Sequence, residues 1–239
     1  MAAVQRGSGF AKFQEIQTGM TDDPDITKSY PFFRMRLFLF LQEIKRSFMK
    51  SYLLLFFLLG FVACRHEINS TVKIETELGN IVVELYPEKA PVTVSNFLRL
   101  VDDQVYGGAT FYRVVRMDNQ PNNDVKIEVI QGGLKDDELV DQFKPIIHET
   151  TEITGVKHLD GTISMARMEP GTASTEFFIC VGDQPELDFG GKRNPDGQGF
   201  AAFGKVLEGM DVVRKIQQEK DQDQMLVKEV QILQILNVN

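Results

Sequence analysis

The constraint that most narrows the fold is a succession of short runs whose apolar residues recur at every second position. Val72 and Ile74 alternate with Lys73 and Glu75, and Ile81, Val83 and Leu85 share one face of the next run. This predicts a hairpin of Thr71–Glu77 and Ile81–Tyr86, with Gly79-Asn80 supplying the positive φ of a tight turn. Further strands are expected at Thr110–Val115, Val125–Gln131, Thr162–Arg167, Glu176–Val181 and Phe200–Val206. A long last strand, Met225–Val238, is expected to place Val230, Ile232 and Gln234 on one face. Two segments have helical spacing instead. Pro91 opens the first, where its missing N–H does no harm, and Val94, Phe97, Leu98 and Val101 form its apolar stripe. The second runs from about Met210 to Gln218 and is expected to bury Val212, Val213 and Ile216. Glycine-rich loops, no regular βα alternation and no internal repeat point to a mainly β barrel or sandwich, one domain over 71–239.

The N-terminal part has another character. Lys45, Arg46 and Lys50 precede an uncharged run, Tyr52–Ala63, that ends in small residues before Cys64. As a helix this run rises only ~18 Å, short of a ~30 Å hydrocarbon core. It therefore suits export over 49–64 better than a membrane span. A buried core helix is the alternative, weakened by the lack of any polar face. Phe61-Val62-Ala63-Cys64 resembles the lipobox of bacterial lipoproteins. The resemblance implies a lipid on Cys64, loss of everything before it, and a membrane-anchored protein of the bacterial cell envelope facing the periplasm. Residues 1–48, with further candidate starts at Met20, Met35 and Met49, read as an upstream extension without a domain, and 65–70 as a polar tether. A disulfide between Cys64 and Cys180 suits an oxidising compartment only if Cys64 carries no lipid. Cys180, within Phe177-Phe178-Ile179-Cys180-Val181, reads as a small core hydrophobe.

Charge excludes one class of partner. A net charge of −8, with no basic stripe in the second half, argues against nucleic acid. His66, His148 and His158 lack ligand spacing, so no metal site is expected. The glycine-rich stretch 190–199 is followed by a strand rather than a helix, which makes it a mobile surface loop and not a phosphate cradle. Asp136-Asp137-Glu138 reads as a solvated face.

Several motifs in order carry a family resemblance. Phe111-Tyr112-Arg113, Gln131-Gly132-Gly133, Gly161-Thr162-Ile163-Ser164-Met165-Ala166, Thr175-Glu176-Phe177-Phe178-Ile179 and Phe203-Gly204-Lys205-Val206 with Gly209-Met210 resemble the corresponding segments of cyclophilins. The resemblance covers Val72 to the C-terminus. It implies a closed eight-stranded antiparallel β-barrel capped by two α-helices, and peptidyl-prolyl cis–trans isomerisation, which needs no cofactor. It also implies roles. Arg113 is the catalytic cation, Gln131 holds Arg113 and the substrate carbonyl, Phe178 floors a proline slot and Leu187 lines its side. Phe200 forms an aromatic wall, where the family has His or Tyr, and Ala166 offers backbone groups. The family's F-M-x-Q is replaced by Glu128-Val129-Ile130-Gln131, and Ile127, Val129 and Gln131 share a face, so Ile127 stands in for the lost aromatic. Partners would be proline-containing flexible or unfolded polypeptides, bound by a monomer.

Departures keep two further readings open. The Arg116–Glu128 connection is longer than usual in the family, and Glu128, Glu176 and Glu186 make the groove more acidic, which favours peptides with Lys or Arg near the proline. A binding module holding proline segments without turnover would use the same groove. A barrel enclosing a lipophilic ligand is disfavoured, because large inward side chains fill an eight-stranded interior.

Overall fold

The computed structural model describes residues 70–238. The expected signal, the expected tether up to Asn69 and Cys64, where a lipid was expected, lie outside the described residues. In chain order the elements are strands β1 (Ser70–Thr76) and β2 (Gly79–Leu85), helix α1 (Pro91–Asp102), strands β3 (Thr110–Val115) and β4 (Val129–Gly133), and single-turn helices α2 (Asp137–Val140) and α3 (Thr151–Thr154). Strands β5 (Thr162–Met165) and β6 (Phe177–Cys180), a 3₁₀ turn at Pro185–Leu187, β7 (Ala201–Glu208), helix α4 (Met210–Gln217), the two-residue β8 (Asp221–Gln222) and β9 (Met225–Asn237) follow.

Eight strands form an antiparallel barrel in the order β1-β2-β7-β5-β6-β4-β3-β9, closed by pairing of β9 with β1. β8 is a short ribbon on the start of β9. Closure leaves the barrel wall without a free edge. Ile74, Ile81, Val83, Leu85, Phe111, Ile130, Ile163, Phe177 and Phe203 fill the interior, with α1 adding Phe97 and Leu100 and α4 adding Val213 and Ile216. The ring of Phe177 meets Phe97, Tyr106 and Phe111 edge-on at centroid distances of 5.6–5.8 Å, a geometry that aromatic quadrupoles favour.

Several sequence expectations shift, each for a local reason. The hairpin turns on Glu77-Leu78, because Thr76 pairs with Gly79; the Thr76 hydroxyl accepts from Leu78 N and donates to Gly79 O. Gly79 still needs its φ of +138°, and a Cβ there would lie 2.7 Å from Val212 on α4. On α1 the buried stripe takes Leu100, and Leu98 is only half-buried. On β9 a bulge leaves Leu233 unpaired between Ile232, opposite Thr76, and Gln234, opposite Glu75. The extra residue inverts the alternation beyond it, so Ile235 rather than Gln234 turns inward.

The strand expected at Val125–Gln131 begins only at Val129. Ahead of it, the buried Gln120 side chain takes both backbone groups of Ile127, donating to its carbonyl at 2.8 Å and accepting from its N–H at 3.3 Å. The 116–128 connection is thus a bonded loop. The acidic run at 136–138 is exposed, yet Asp136 also caps α2, accepting from the N–H groups of Glu138 and Leu139. Cys180 is buried and free, as expected of a core hydrophobe.

Candidate active site

Arg113 reaches the outside of the barrel through a bulge. Phe111 faces the core, and strict alternation would send Arg113 inward with it. Across β4, however, Phe111 pairs with Gly132 and Arg113 with Gln131, leaving Tyr112 as the extra residue. Beyond the bulge Val114 points to the core and Val115 to an outer apolar cluster. The same outer face carries Gln131 and Val129 on β4, opposite Phe178 and Cys180 on β6.

Val115, Ile127, Val129, Phe178, Cys180 and Leu187 form this second cluster, with Ala166 and Phe200 packed against it. The structure therefore brings together Ile127, Val129, Phe178, Leu187, Phe200 and Ala166. Phe178 and Phe200 meet edge-on with centroids 5.3 Å apart. Leu187 is wholly buried and backs the cluster, whereas Phe200 and Ala166 keep exposed surface.

Three supports of this cluster carried no sequence signal. The imidazole of His158 stacks on Phe178 at 5.9 Å and 15°. Its Nδ1 lies 2.8 Å from Asp188 Oδ1 and its Nε2 3.0 Å from Ser164 Oγ. Burial lowers the His158 pKa against the pull of Asp188, so the ring is neutral at neutral pH. The Asp–His–Ser series is not a nucleophile site, since Ser164 is wholly buried. Arg167 is the second support. Its guanidinium forks onto Asp196 with two 2.9 Å bonds, reaches Gly199 O, and sits 5.2 Å from the Phe200 ring centroid. The third is Arg193, which donates to Gln120 Oε1 and Val125 O. Arg167 and Arg193 tie the 190–199 loop down, where the sequence suggested a mobile one.

Arg113 is oriented by two amides. Its Nη1 donates to Gln131 Oε1 at 2.9 Å, and its Nη2 and Nε donate to Gln224 Oε1 at 2.6 and 3.2 Å. Both partners are neutral, so they fix the plane of the fork without cancelling its charge. Burial lowers the Arg113 pKa from its ordinary value, and a guanidinium stays charged at neutral pH. Gln224 was not foreseen, because it comes from the β8–β9 turn, distant in sequence, where it adopts φ +72°.

Glu176 lies beside Gln131 in a 540 Å³ cleft lined also by Tyr112, Ala166, Arg167 and Met168. Its carboxylate accepts from the Tyr112 hydroxyl at 2.5 Å and from Leu134 N at 2.6 Å. The acidic groove read from the sequence is changed by this arrangement. Glu186 bonds the backbone N–H of Lys192, and Arg167 lines the same cleft as Glu176. Among the described residues no group of three or more His, Cys, Asp or Glu side chains is placed to hold a metal ion.

Residues 71–237 match the family model for cyclophilin type peptidyl-prolyl cis-trans isomerases. The chain belongs to this family. Among its relatives are a peptidyl-prolyl cis-trans isomerase of Acinetobacter baylyi, 37% identical over 66% of this chain and 77% of the relative. Isomerase B of Escherichia coli is 35% identical over 61% of this chain and 82% of its own length. The cyclophilin fold is also that of a Cryptosporidium parvum cyclophilin type isomerase, which superposes with a TM-score of 0.57 at 21% identity, covering 72% of this chain and 98% of that one. The cyclophilin assignment fixes the class of chemistry as prolyl isomerisation, and the closed barrel expected from the motifs is the one found.

Proposed function

We propose that the outer cluster seats the proline ring of a flexible polypeptide against Phe178 and Phe200 while Arg113 acts on the X–Pro amide. Rotation about that bond faces a barrier of about 20 kcal/mol from its partial double-bond character. No bond breaks, so neither nucleophile nor cofactor is required. A twisted amide regains a lone pair on nitrogen, and a fixed cation donating to it stabilises a charge arrangement absent from the planar ground state. The observation that carries this reading is the Arg113 fork, held by Gln131 and Gln224 with its charge intact beside the apolar cluster. A charge-assisted hydrogen bond of ~1.5–3 kcal/mol accelerates by about one to two powers of ten. Gln131 gives one N–H to Tyr112 and has a second for the substrate carbonyl. A related Cryptosporidium parvum cyclophilin was crystallised in the presence of the dipeptide Ala-Pro, which supports a proline peptide as the ligand.

The same proposal makes the chain a lipid-anchored folding assistant of the bacterial cell envelope, on the strength of the basic–apolar–Cys64 pattern. Two experiments test it. Full-length protein should accelerate isomerisation of proline tetrapeptides in a protease-coupled assay, and binding of such peptides without acceleration would establish a holding module instead. Cys64→Ser should abolish membrane fractionation, and unchanged fractionation with an intact N-terminus would remove the anchor.

A further inference from the structure

We propose that Glu176, acting through Tyr112, is a positioning residue that fixes which way round the Gln131 amide is held, and so presents Arg113 for isomerisation; this rests on the role given to Arg113 above. The links form one directed chain. Glu176 Oε1 accepts from Leu134 N at 2.6 Å and Lys135 N at 3.3 Å, and Oε2 accepts from the Tyr112 hydroxyl at 2.5 Å. Tyr112 has a single proton, and it points at Glu176. Toward Gln131 the hydroxyl can therefore only accept, which it does from Nε2 at 2.7 Å. With its NH₂ end so placed, Gln131 turns Oε1 to Arg113 Nη1 at 2.9 Å.

The direction holds only while Glu176 is ionised, since two acceptor oxygens are needed to serve donors on both sides. If Oε1 keeps the backbone N–H groups and the other end becomes a donor, Tyr112 must accept from it. The Tyr112 proton then swings to Gln131, the amide reverses, and its NH₂ faces the guanidinium, donor against donor. Protonating Glu176 or replacing it by glutamine produces the same reversal. The surroundings make protonation accessible. Burial raises the Glu176 pKa from its ordinary value, against the Tyr112 and backbone hydrogen bonds that favour the anion. The charged and titratable groups around it are Tyr112 and Arg113 on β3, Tyr106 after α1, Lys135 before α2, Asp137 and Asp141 around α2, and Arg167 after β5. The Lys135 amine is paired with Glu229.

The test is the pH profile of kcat/KM for the full-length chain, Glu176→Gln and Tyr112→Phe, each checked for folding by thermal melting. The wild type should lose activity as pH falls through the raised Glu176 pKa. Glu176→Gln should be flat across that range, at about one fifth of the wild-type kcat with KM changed less than about twofold, the loss of one ordinary hydrogen bond's guidance. Tyr112→Phe should also lose the acid limb. A flat wild-type profile, or an acid limb that survives in both variants, overturns the relay. If either variant melts too low to assay, the Gln131 side-chain amide resonances of the wild type decide: they should shift with the acid limb, and their constancy overturns the proposal. Arg113→Ala separates the two layers. If it is harmless, the role of Arg113 is wrong; if it is damaging while Glu176→Gln is not, only the relay is wrong.

Discussion

Replacing Gln120 by alanine should open the wall of the proline slot without touching the residues that form it. The Gln120 side chain is wholly buried and makes four bonds: to Arg116 O at 2.7 Å, to Ile127 O at 2.8 Å, from Ile127 N at 3.3 Å and from Arg193 Nη1 at 3.1 Å. At a net ~0.5–1.5 kcal/mol each, with water replacing some of them, the loss is about 2–4 kcal/mol. For a domain of this size that lowers Tm by about 5 °C or more. Ile127 loses its link through Gln120 to Arg193 and the 190–199 loop, so hydrogen exchange at the Ile127 amide should accelerate by a factor of about 30 or more, the same energy expressed locally. The effect on isomerisation should fall on KM, because Arg113, Gln131 and Gln224 are untouched. Unchanged exchange at Ile127 with unchanged KM would show that the loop is held by something other than Gln120.

Glu149→Ala should destabilise the barrel by about 2–3 kcal/mol, because the buried carboxylate accepts from Val92 N, Thr93 N and Thr93 Oγ1 at the start of α1; urea unfolding measures it, and a change under about 0.5 kcal/mol would show that water replaces the cap. His158 should make stability fall as pH drops below about 6.5, the unfolded histidine value. Its folded pKa is lowered by burial, so the unfolded chain binds the proton first. His158→Gln should flatten that part of the Tm–pH curve, and an unaltered slope would assign it to another group.

The barrel was legible because most of its strands obey simple alternation and its motifs occur in order. What escaped was decided by contacts between distant segments. The bulge on β9 reverses the inward face after Ile232, and nothing in Ile232-Leu233-Gln234 announces it. The late start of β4 depends on one buried glutamine seven residues before Ile127. At the site, the residues of the outer face were readable, whereas their supports were not. Gln224 meets Arg113 only because β8 and β9 form a ribbon beside β3. His158 reads as an isolated histidine until folding stacks it on Phe178. Arg167 reads only as the end of a strand until Asp196 and Phe200 close over it.

The central claim is that the Arg113 guanidinium contributes chiefly to the twisted state of the X–Pro bond. The most direct measurement is kcat/KM for a proline peptide with wild type, Arg113→Ala and Arg113→Lys, each shown by melting to keep the barrel. Arg113→Ala should lower kcat/KM at least about tenfold, with the loss in kcat exceeding that in KM, since the bond forms in the transition state rather than on binding. Arg113→Lys should recover only part, because an ammonium lacks the planar fork that meets Gln131 and Gln224 together. Arg113→Ala with wild-type turnover, or a loss confined to KM, would contradict the account.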